Sequence, residues 1–552
     1  MGSPALQFDA GFVMRLRDAV AAQLPALLPE QRWFGAKARQ IHSVSLADYI
    51  VIPLPQADSL ITLIRVEYTD GGGATYVLPL LKTQQDSASA ELSPVMLRIP
   101  APNSSSEVLL VDALGDRGFL SVILDAIRGA VSYVGWQGKI NARPAARLQE
   151  IYTKSAATPR PRPLKAEQSN TSIAYDDRLI LKFFRHIEEG VNPDLEISRF
   201  LTEVAHFANT PALCGSLEYR TRDGKNVALG ILQEFVPNQG DAWQFTTQFL
   251  TDLLVRSVVS VGENIPAAEK RSSTSALVED TAAREPADQL SRQLEFVDLL
   301  GRRTAEFHLA LDSLPTDPAF AREPFTAEVR EALESSLHDL AVRNFDLLRL
   351  RSEHLPQLLR ESLARVLELE HDVLLAFHAG LENDIRSVRI RIHGDYHLGQ
   401  VLFTGSDFFI MDFEGEPARP LSERRAKRSP LQDVAGMLRS FHYAARSALL
   451  SAQERLGIST SLDVKPKLLA KRWQALATRQ FLESYRKAAA GAPFLPADPN
   501  EFDGLLRVHL LEKAIYELGY ELNNRPDWLA IPLEGIERLL TKNTRESETP
   551  WE

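Results

Sequence analysis

Between Ser387 and Pro417 the chain sets two short apolar runs around polar side chains at fixed spacing, and few folds satisfy that arrangement. Ser387-Val-Arg-Ile-Arg-Ile392 reads as a strand that delivers His393, Gly394 and Asp395 into a loop. The amide Gln400 follows in the same loop, and Asp412 lies just beyond a second apolar strand, Phe408-Phe-Ile-Met411. A hairpin whose aspartates only cap turns accounts poorly for two carboxylates together with a correctly spaced amide.

Phosphoryl transfer calls for such a set. Charge on the transferred group must be neutralised while an acceptor hydroxyl is held in line and relieved of its proton. Protein kinases order an aspartate base, a metal-binding amide and a metal-binding aspartate as H-R-D-x-x-x-x-N and D-F-G; here the order is H-G-D-x-x-x-x-Q and D-F-E. Asp395 is the candidate base. Gln400 and Asp412 offer the hard oxygen ligands that Mg²⁺ prefers.

At 552 residues the chain exceeds one core and implies two to four folding units. A formal charge of −11 excludes a general nucleic-acid binder. No apolar run approaches the length of a membrane span, and charges interrupt the amphipathic N-terminus, so the expectation is a cytoplasmic protein with neither nucleic-acid nor membrane partners. The single cysteine, Cys214, excludes an intramolecular disulfide and reads as a small buried hydrophobe. The basic run Arg424-Arg-Ala-Lys-Arg428 reads either as a solvated loop or as one near phosphates or sugar.

The expected architecture is α+β in three parts. Residues 1–105 form a separate α+β unit, with a hairpin turn at Gly71-Gly-Gly73; residues 106–236 form an intermediate subdomain and a β-rich small lobe; residues 237–552 form a mainly helical large lobe. A polar stretch at about 262–290, without periodicity, is expected to be a mobile insertion. In the small lobe, Lys182 stands inside an apolar strand, costly unless paired, and Glu196 on the following helix is the expected partner. Ser169, Asn170 and Thr171 lie in a polar loop between strands, where kinases carry glycines. The run Ala228 to Gly240 reads as a strand emerging into a hinge, or as an ordinary strand-to-helix turn. As a hinge, the backbone at Glu234, Phe235 and Val236 would face adenine.

Taken together, Arg32-Trp-Phe-Gly-Ala-Lys37, Gly301-Arg-Arg-Thr-Ala-Glu-Phe-His308, His393 to Gln400, Asp412 to Pro417, Ser429 to Phe441, Glu512 to Glu521 and Asn524 to Trp528 resemble the maltokinase family, relatives of aminoglycoside phosphotransferases and bacterial glucosamine kinases. The resemblance runs nearly end to end. It implies a bilobal protein-kinase-like fold with an N-terminal cap, ATP and Mg²⁺ as cofactors, and phosphorylation of maltose to maltose 1-phosphate for α-glucan synthesis. It also implies a trehalose synthase as partner or fusion, although no barrel-sized region is present. Glucosamine kinase, a related small-molecule kinase and a non-catalytic module of a trehalose synthase complex remain alternatives.

Asp433, within Gln432-Asp-Val-Ala-Gly436, is expected to anchor the catalytic loop. His397, two residues after the candidate base, reads as a loop-stabilising hydrogen bond or as a contact to the acceptor, and Glu414 as a ligand of a second metal or of the sugar. Lys513, Tyr516, Glu517, Tyr520 and Glu521 follow the stripe of one helical face, which reads as sugar contacts or as a solvated face. Arg439 is a further candidate for the sugar.

Overall fold

The computed structural model describes residues 9–55, 58–83, 95–101, 107–154, 159–164, 170–262, 275–417, 419–458 and 464–541. The chain divides into two compact units, Met1–Thr202 with Pro211–Pro237, and Glu203–Thr210 with Asn238–Glu552. No helix among the described residues is long and apolar enough to cross a membrane.

In the first unit, α1 (Ala10–Leu27) is capped by Asp9, whose carboxylate accepts from the Phe12 amide at 2.6 Å. An antiparallel sheet follows: β1 (Ile41–Pro53), β2 (Asp58–Tyr68), β3 (Gly73–Thr83), β4 (Val95–Pro100) and β5 (Glu107–Asp112), in the order 1-2-3-5-4. Both faces of β2 and β3 are apolar. Leu60, Ile64, Val66, Tyr76 and Leu78 share one core with Leu16, Val20 and Leu24 of α1, whereas Ile61, Leu63, Val77 and Leu81 face a second. Period-two alternation thus feeds two cores, each fully buried side chain worth roughly 1.5–3 kcal/mol. A charge at Ile61 would break the second.

That second core also holds Phe119, Leu120 and Ile123 of α2 (Arg117–Arg128). It is completed by a second sheet of β6 (Ser132–Val134), β7 (Gly138–Pro144), β8 (Pro161–Pro163), β9 (Asn170–Tyr175), β10 (Leu179–Phe184), β12 (Leu213–Thr221) and β13 (Asn226–Glu234), ordered 6-7-12-13-10-9-8. The short β11 (His186–Ile187) crosses back to pair with β3 of the first sheet. Helices α3 (Ala146–Lys154) and α4 (Pro193–Glu203) complete the unit. Gly71 and Gly72, at φ +91° and +68°, make the hairpin turn between β2 and β3. The expected boundary at residue 105 falls between β4 and β5, which pair with each other in one sheet.

The second unit is built from α5 (Ala242–Gly262), α6 (Ser275–Leu311), α7 (Ala327–Arg351), α8 (Arg360–Glu368), α9 (Glu370–Leu381), α10 (Leu421–Arg424), α11 (Leu431–Leu456), α12 (Val464–Ala488), α13 (Pro499–Asn524) and α14 (Ala530–Thr541). Two small ladders interrupt the helices: β14 (Glu323–Pro324) with β15 (Val388–Arg389), and β16 (Val401–Phe403) with β17 (Phe408–Ile410). The nearly continuously buried α11 packs against α5, α12 and α13. The expected insertion at 262–290 is helical from Ser275 onward, because Ala, Glu, Arg, Gln and Leu there carry helix propensity without a regular apolar stripe; residues 263–274 lie outside the described residues.

Candidate active site

The expected strand 387–392 is regular only at Val388–Arg389, after which Ile390 pairs with Arg428 through two backbone bonds of 3.0 and 2.8 Å. The chain then turns at Gly394, whose φ of +83° suits glycine. The Asp433 carboxylate, 1% exposed in the first turn of α11, accepts the amides of His393 and Gly394 at 2.7 and 2.9 Å. His308 Nε2 lies 3.1 Å from the same carboxylate and its Nδ1 2.9 Å from the Tyr485 hydroxyl. Asp433 therefore anchors the loop as the sequence suggests. One turn on, a Cβ at Gly436 would stand 2.5 Å from the Tyr396 carbonyl, so only glycine lets α11 approach the loop so closely.

Asp395 emerges from this anchored turn with its Oδ1 3.3 Å from Lys513 Nζ, and that ammonium also meets Glu416 at 2.6 Å. Glu416, 3% exposed, is bound by Arg419, which reaches on to Glu512. Charges alternate along this buried row. Burial alone would raise the Asp395 carboxyl, but Lys513 and the imidazoles of His397 and His393 more than offset it and hold it below the ordinary carboxylate value. Burial would lower Lys513, yet Glu416 and Asp395 hold it well above the usual lysine range. The result is an ionised carboxylate beside a permanent cation, suited to accept a proton as one develops.

His397 Nδ1 accepts the Gly399 amide at 3.0 Å, which leaves the ring proton on Nε2, 3.9 Å from Asp395 Oδ2. Burial pushes this imidazole down. The ring thus both shapes the loop and faces the cleft.

Gln400 closes the 3₁₀ turn Leu398–Gln400, and its carbonyl accepts the Met411 amide at 3.0 Å. This bond draws the second acidic segment against the first. His393 Nε2 lies 3.0 Å from the Met411 carbonyl. Asp412 adopts φ +67°, a left-handed conformation uncommon for a residue other than glycine, and strain of this kind concentrates where a side chain must be aimed. Carboxylate oxygens of Asp412 and Glu414 lie within 4.8 Å of each other. Two carboxylates this close are hard oxygen donors of the kind that suits Mg²⁺.

A cleft of about 520 Å³ opens in front of Asp395 and His397. Lys513, Tyr516, Glu517, Tyr520 and Glu521 of α13 line one wall, so the helical stripe faces a cavity rather than open solvent. Arg439 is absent from the lining. It is buried at 3% exposure, bound to Glu517 Oε2 through Nε and Nη2 at 2.9 and 2.6 Å. The expected sugar contact is a strut that orients Glu517, since a guanidinium so deeply enclosed must be paired within the protein.

In the first unit, Lys182 Nζ lies 3.0 Å from the carboxylate of Asp194, which stands on α4 two residues before the expected partner Glu196. Asp194 is 1% exposed, while Glu196 is only partly buried on the same helical turn; the docking angle of α4 turns the former toward the sheet. Asn170 and Thr171 belong to β9 rather than to a loop, and the Thr171 hydroxyl accepts Arg185 Nε at 2.9 Å; Ser169 lies outside the described residues. At the expected hinge, the amides of Glu234 and Phe235 donate to the carbonyls of Ala212 and Arg178, and the Glu234 carboxylate is held by Arg147 through two bonds of 2.8 Å. Val236 follows at the end of β13.

Residues 27–116 match the family described as the maltokinase N-terminal cap domain. Over nearly its full length the chain is similar to a solved glucosamine kinase in complex with glucosamine, ADP and inorganic phosphate: TM-score 0.58 and 19% identity, covering 95% of this chain and 99% of that one. A second crystal form of glucosamine kinase gives a TM-score of 0.61 at the same identity and coverage. The fold is thus kinase-like, and residues 27–116 are similar to a maltokinase N-terminal cap. In sequence the chain is 25% identical over 389 residues to the glucosamine kinase of Mycolicibacterium smegmatis, covering 69% of this chain and 80% of that one. It is 24% identical over 411 residues to the glucosamine kinase of Streptacidiphilus jiangxiensis, covering 73% and 78%.

The maltokinase-type cap spans the stretch that forms α1's C-terminal end and the first sheet. On the kinase-like side, sequence reasoning passed over Asp241, Trp243, Tyr443, Arg525 and Trp528, all of which line the cleft. Signals for two of them existed: Tyr443 stands one helical turn beyond Arg439 on α11, and Trp528 ends the Asn524-Arg-Pro-Asp-Trp528 motif. Asp241 announces itself only as the residue before a helix, where its carboxylate accepts the Gln244 amide at 2.7 Å.

Proposed function

We propose that this protein is an ATP- and Mg²⁺-dependent sugar kinase that phosphorylates maltose to maltose 1-phosphate. The observation that carries the sugar-kinase reading is the position of Asp395: anchored through the neighbouring amides by Asp433, kept ionised by Lys513, and facing a cleft with aromatic walls. Its volume falls within the range of small-molecule sites. In the reaction the acceptor hydroxyl oxygen bonds to the γ-phosphorus, the bond from that phosphorus to the β–γ bridging oxygen breaks, and the hydroxyl proton passes to Asp395. A positioned base of this kind contributes typically 10²–10⁴-fold. Gln400, Asp412 and Glu414 would hold Mg²⁺, which neutralises phosphate charge. Lys182, oriented by Asp194, is the cation offered to the nucleotide phosphates.

The charge balance of the wall supports a neutral acceptor. Glu517 is bound by Arg439 and Glu521 by Arg525, and Glu416, behind them, by Lys513 and Arg419. An ammonium group entering the cleft finds these carboxylates already matched. Aromatic faces at Trp243, Tyr516 and Tyr520 suit the C–H patches of a sugar ring. The likeness to glucosamine kinases favours a second reading, phosphorylation of glucosamine. ADP release measured with maltose, glucosamine, glucose and an aminoglycoside separates them: maltose is expected to be the best acceptor. Glucosamine turning over far faster would refute the choice of maltose, and inactivity on every sugar would favour a non-catalytic module. We further propose a cytoplasmic enzyme working beside a source of maltose such as trehalose synthase.

A further inference from the structure

We propose that a small cavity behind Asp395 holds a buried water molecule bound between His509 and Gln432, and that these two side chains thereby act as positioning residues for the catalytic base. The water follows from unmet hydrogen-bonding groups; the positioning role rests on the sugar-kinase reading above.

The cavity, about 10 Å³, is bordered by Asp395, Glu416, Gln432, His509 and Lys513. That is close to the space one water requires. Asp395 and Lys513 also border the cleft, so the base and its cation stand between the two spaces. His509, 3% exposed, lies one helical turn before Lys513 on α13, and its Nδ1 is 2.9 Å from Glu512 Oε2. Burial alone would raise the Glu512 carboxyl, but the bond from His509 and the charges around it, Arg419 and Arg428 among them, lower it to about 2. An ionised carboxylate only accepts, so Nδ1 donates its proton there. The other ring nitrogen, Nε2, is buried without a protein hydrogen-bond partner among the described residues, and so is Oε1 of Gln432. Gln432 stands in the first turn of α11, next to the loop anchor Asp433.

Buried polar atoms are rarely left unbonded, and where the protein supplies no partner an ordered water does. Gln432 Oε1 can only accept, whereas Nε2 accepts when the ring is neutral and donates when it is charged. A water serves both atoms in either case: it donates to Oε1, and it donates to Nε2 or accepts from it. The cations bordering the cavity are already engaged, Lys513 with Asp395 and Glu416, and Arg419 with Glu416 and Glu512. The water then ties the first turn of α11 to the face of α13 that carries Lys513. Both ends bear on Asp395: Asp433 fixes the turn from which it emerges, and Lys513 lies 3.3 Å from its carboxylate. Loss of the water loosens these two supports against each other, and with them the aim of the base, without touching nucleotide or sugar.

A crystal structure of the full chain, at a resolution that shows ordered water, is expected to place a water within about 3.2 Å of both His509 Nε2 and Gln432 Oε1. A cavity without density, or a direct bond between His509 and Gln432, would overturn the proposal whatever the acceptor proves to be. Kinetics on the best acceptor test the role. Gln432→Met keeps the length of the side chain and removes Oε1, while His509→Asn keeps a donor for Glu512 and removes Nε2. Each is expected to lower kcat about tenfold, with the KM for ATP and for sugar within about twofold of the wild type. The double variant is expected to lose no more than either alone, because both act through one water. Losses that multiply to about a hundredfold, or an unchanged kcat in both single variants, would overturn the positioning role. Gln432 is partly exposed, so Gln432→Met keeps the test valid if His509→Asn fails to fold. A wild type inactive on every sugar would overturn the sugar-kinase reading and the positioning role with it, while the crystal structure still decides the water.

Discussion

Lys513→Met isolates the electrostatic part of the site. In the wild type the ammonium stands 3.3 Å from the Asp395 carboxylate and 2.6 Å from Glu416, and methionine keeps most of the length while removing the charge. At 3.3 Å and an effective dielectric near 20, the Asp395–Lys513 attraction is about 5 kcal/mol as a ceiling. Because the Asp395 side chain is 22% exposed and the imidazoles of His397 and His393 remain, the rise on losing the cation is expected to fall well short of that ceiling. The sign follows from the base needing to be ionised. Lys513 holds the carboxyl below its ordinary value, so removing the cation raises it, and activity is lost at a higher pH on the acid side. The acid limb of log kcat/KM, which reports the free enzyme, should move to higher pH, while Lys513→Arg should return it toward the wild-type position. The assay is initial rates across the pH range in which thermal melts show the folded protein. An equal loss at every pH, with an unmoved acid limb, would refute the role assigned to Lys513 and make it a sugar ligand instead.

Asp395→Asn keeps the shape of the loop and removes the proton acceptor; kcat should fall roughly 10²–10⁴-fold with an unchanged melting temperature, as a coupled assay and a thermal scan would show. Lys182→Met and Asp194→Asn should each raise the KM for ATP about tenfold or more with little change in the KM for sugar; a Glu196→Gln effect exceeding that of Asp194→Asn would overturn the pairing read from the structure. Asp433→Ala strands two amides and His308 in a dry interior, so denaturant unfolding should report a loss of roughly 3–5 kcal/mol, and a loss below about 1 kcal/mol would mean that water reaches the loop anchor.

How legible each part was in the sequence depends on how locally it is encoded. Asp395, Gln400 and Asp412 sit in one short stretch, where the β16–β17 ladder and the bond from Met411 N to Gln400 O draw the Gln400 and Asp412 segments together, while the distant Asp433 holds the turn from which Asp395 emerges. The α13 stripe is equally local, because helical periodicity alone puts Lys513, Tyr516, Glu517 and Tyr520 on one wall. Local encoding fails where the answer is an angle between elements. Asp194 and Glu196 are indistinguishable as first-turn acids until the phase of α4 against the sheet decides which one is buried. Arg439 and Lys513 are likewise both cations near catalytic motifs, and their roles diverge only in the fold. Lys513 reaches a carboxylate that opens on the cleft, whereas Arg439 is enclosed between α11, α13 and α14, where a Cβ on Gly535 would stand 2.3 Å from its Nη1. The enclosed cation donates to Glu517, so that one carboxylate of the cleft wall is already matched. Which carboxylates of the wall are already matched thus depends on a contact between residues 78 positions apart, which no local pattern in the sequence announces.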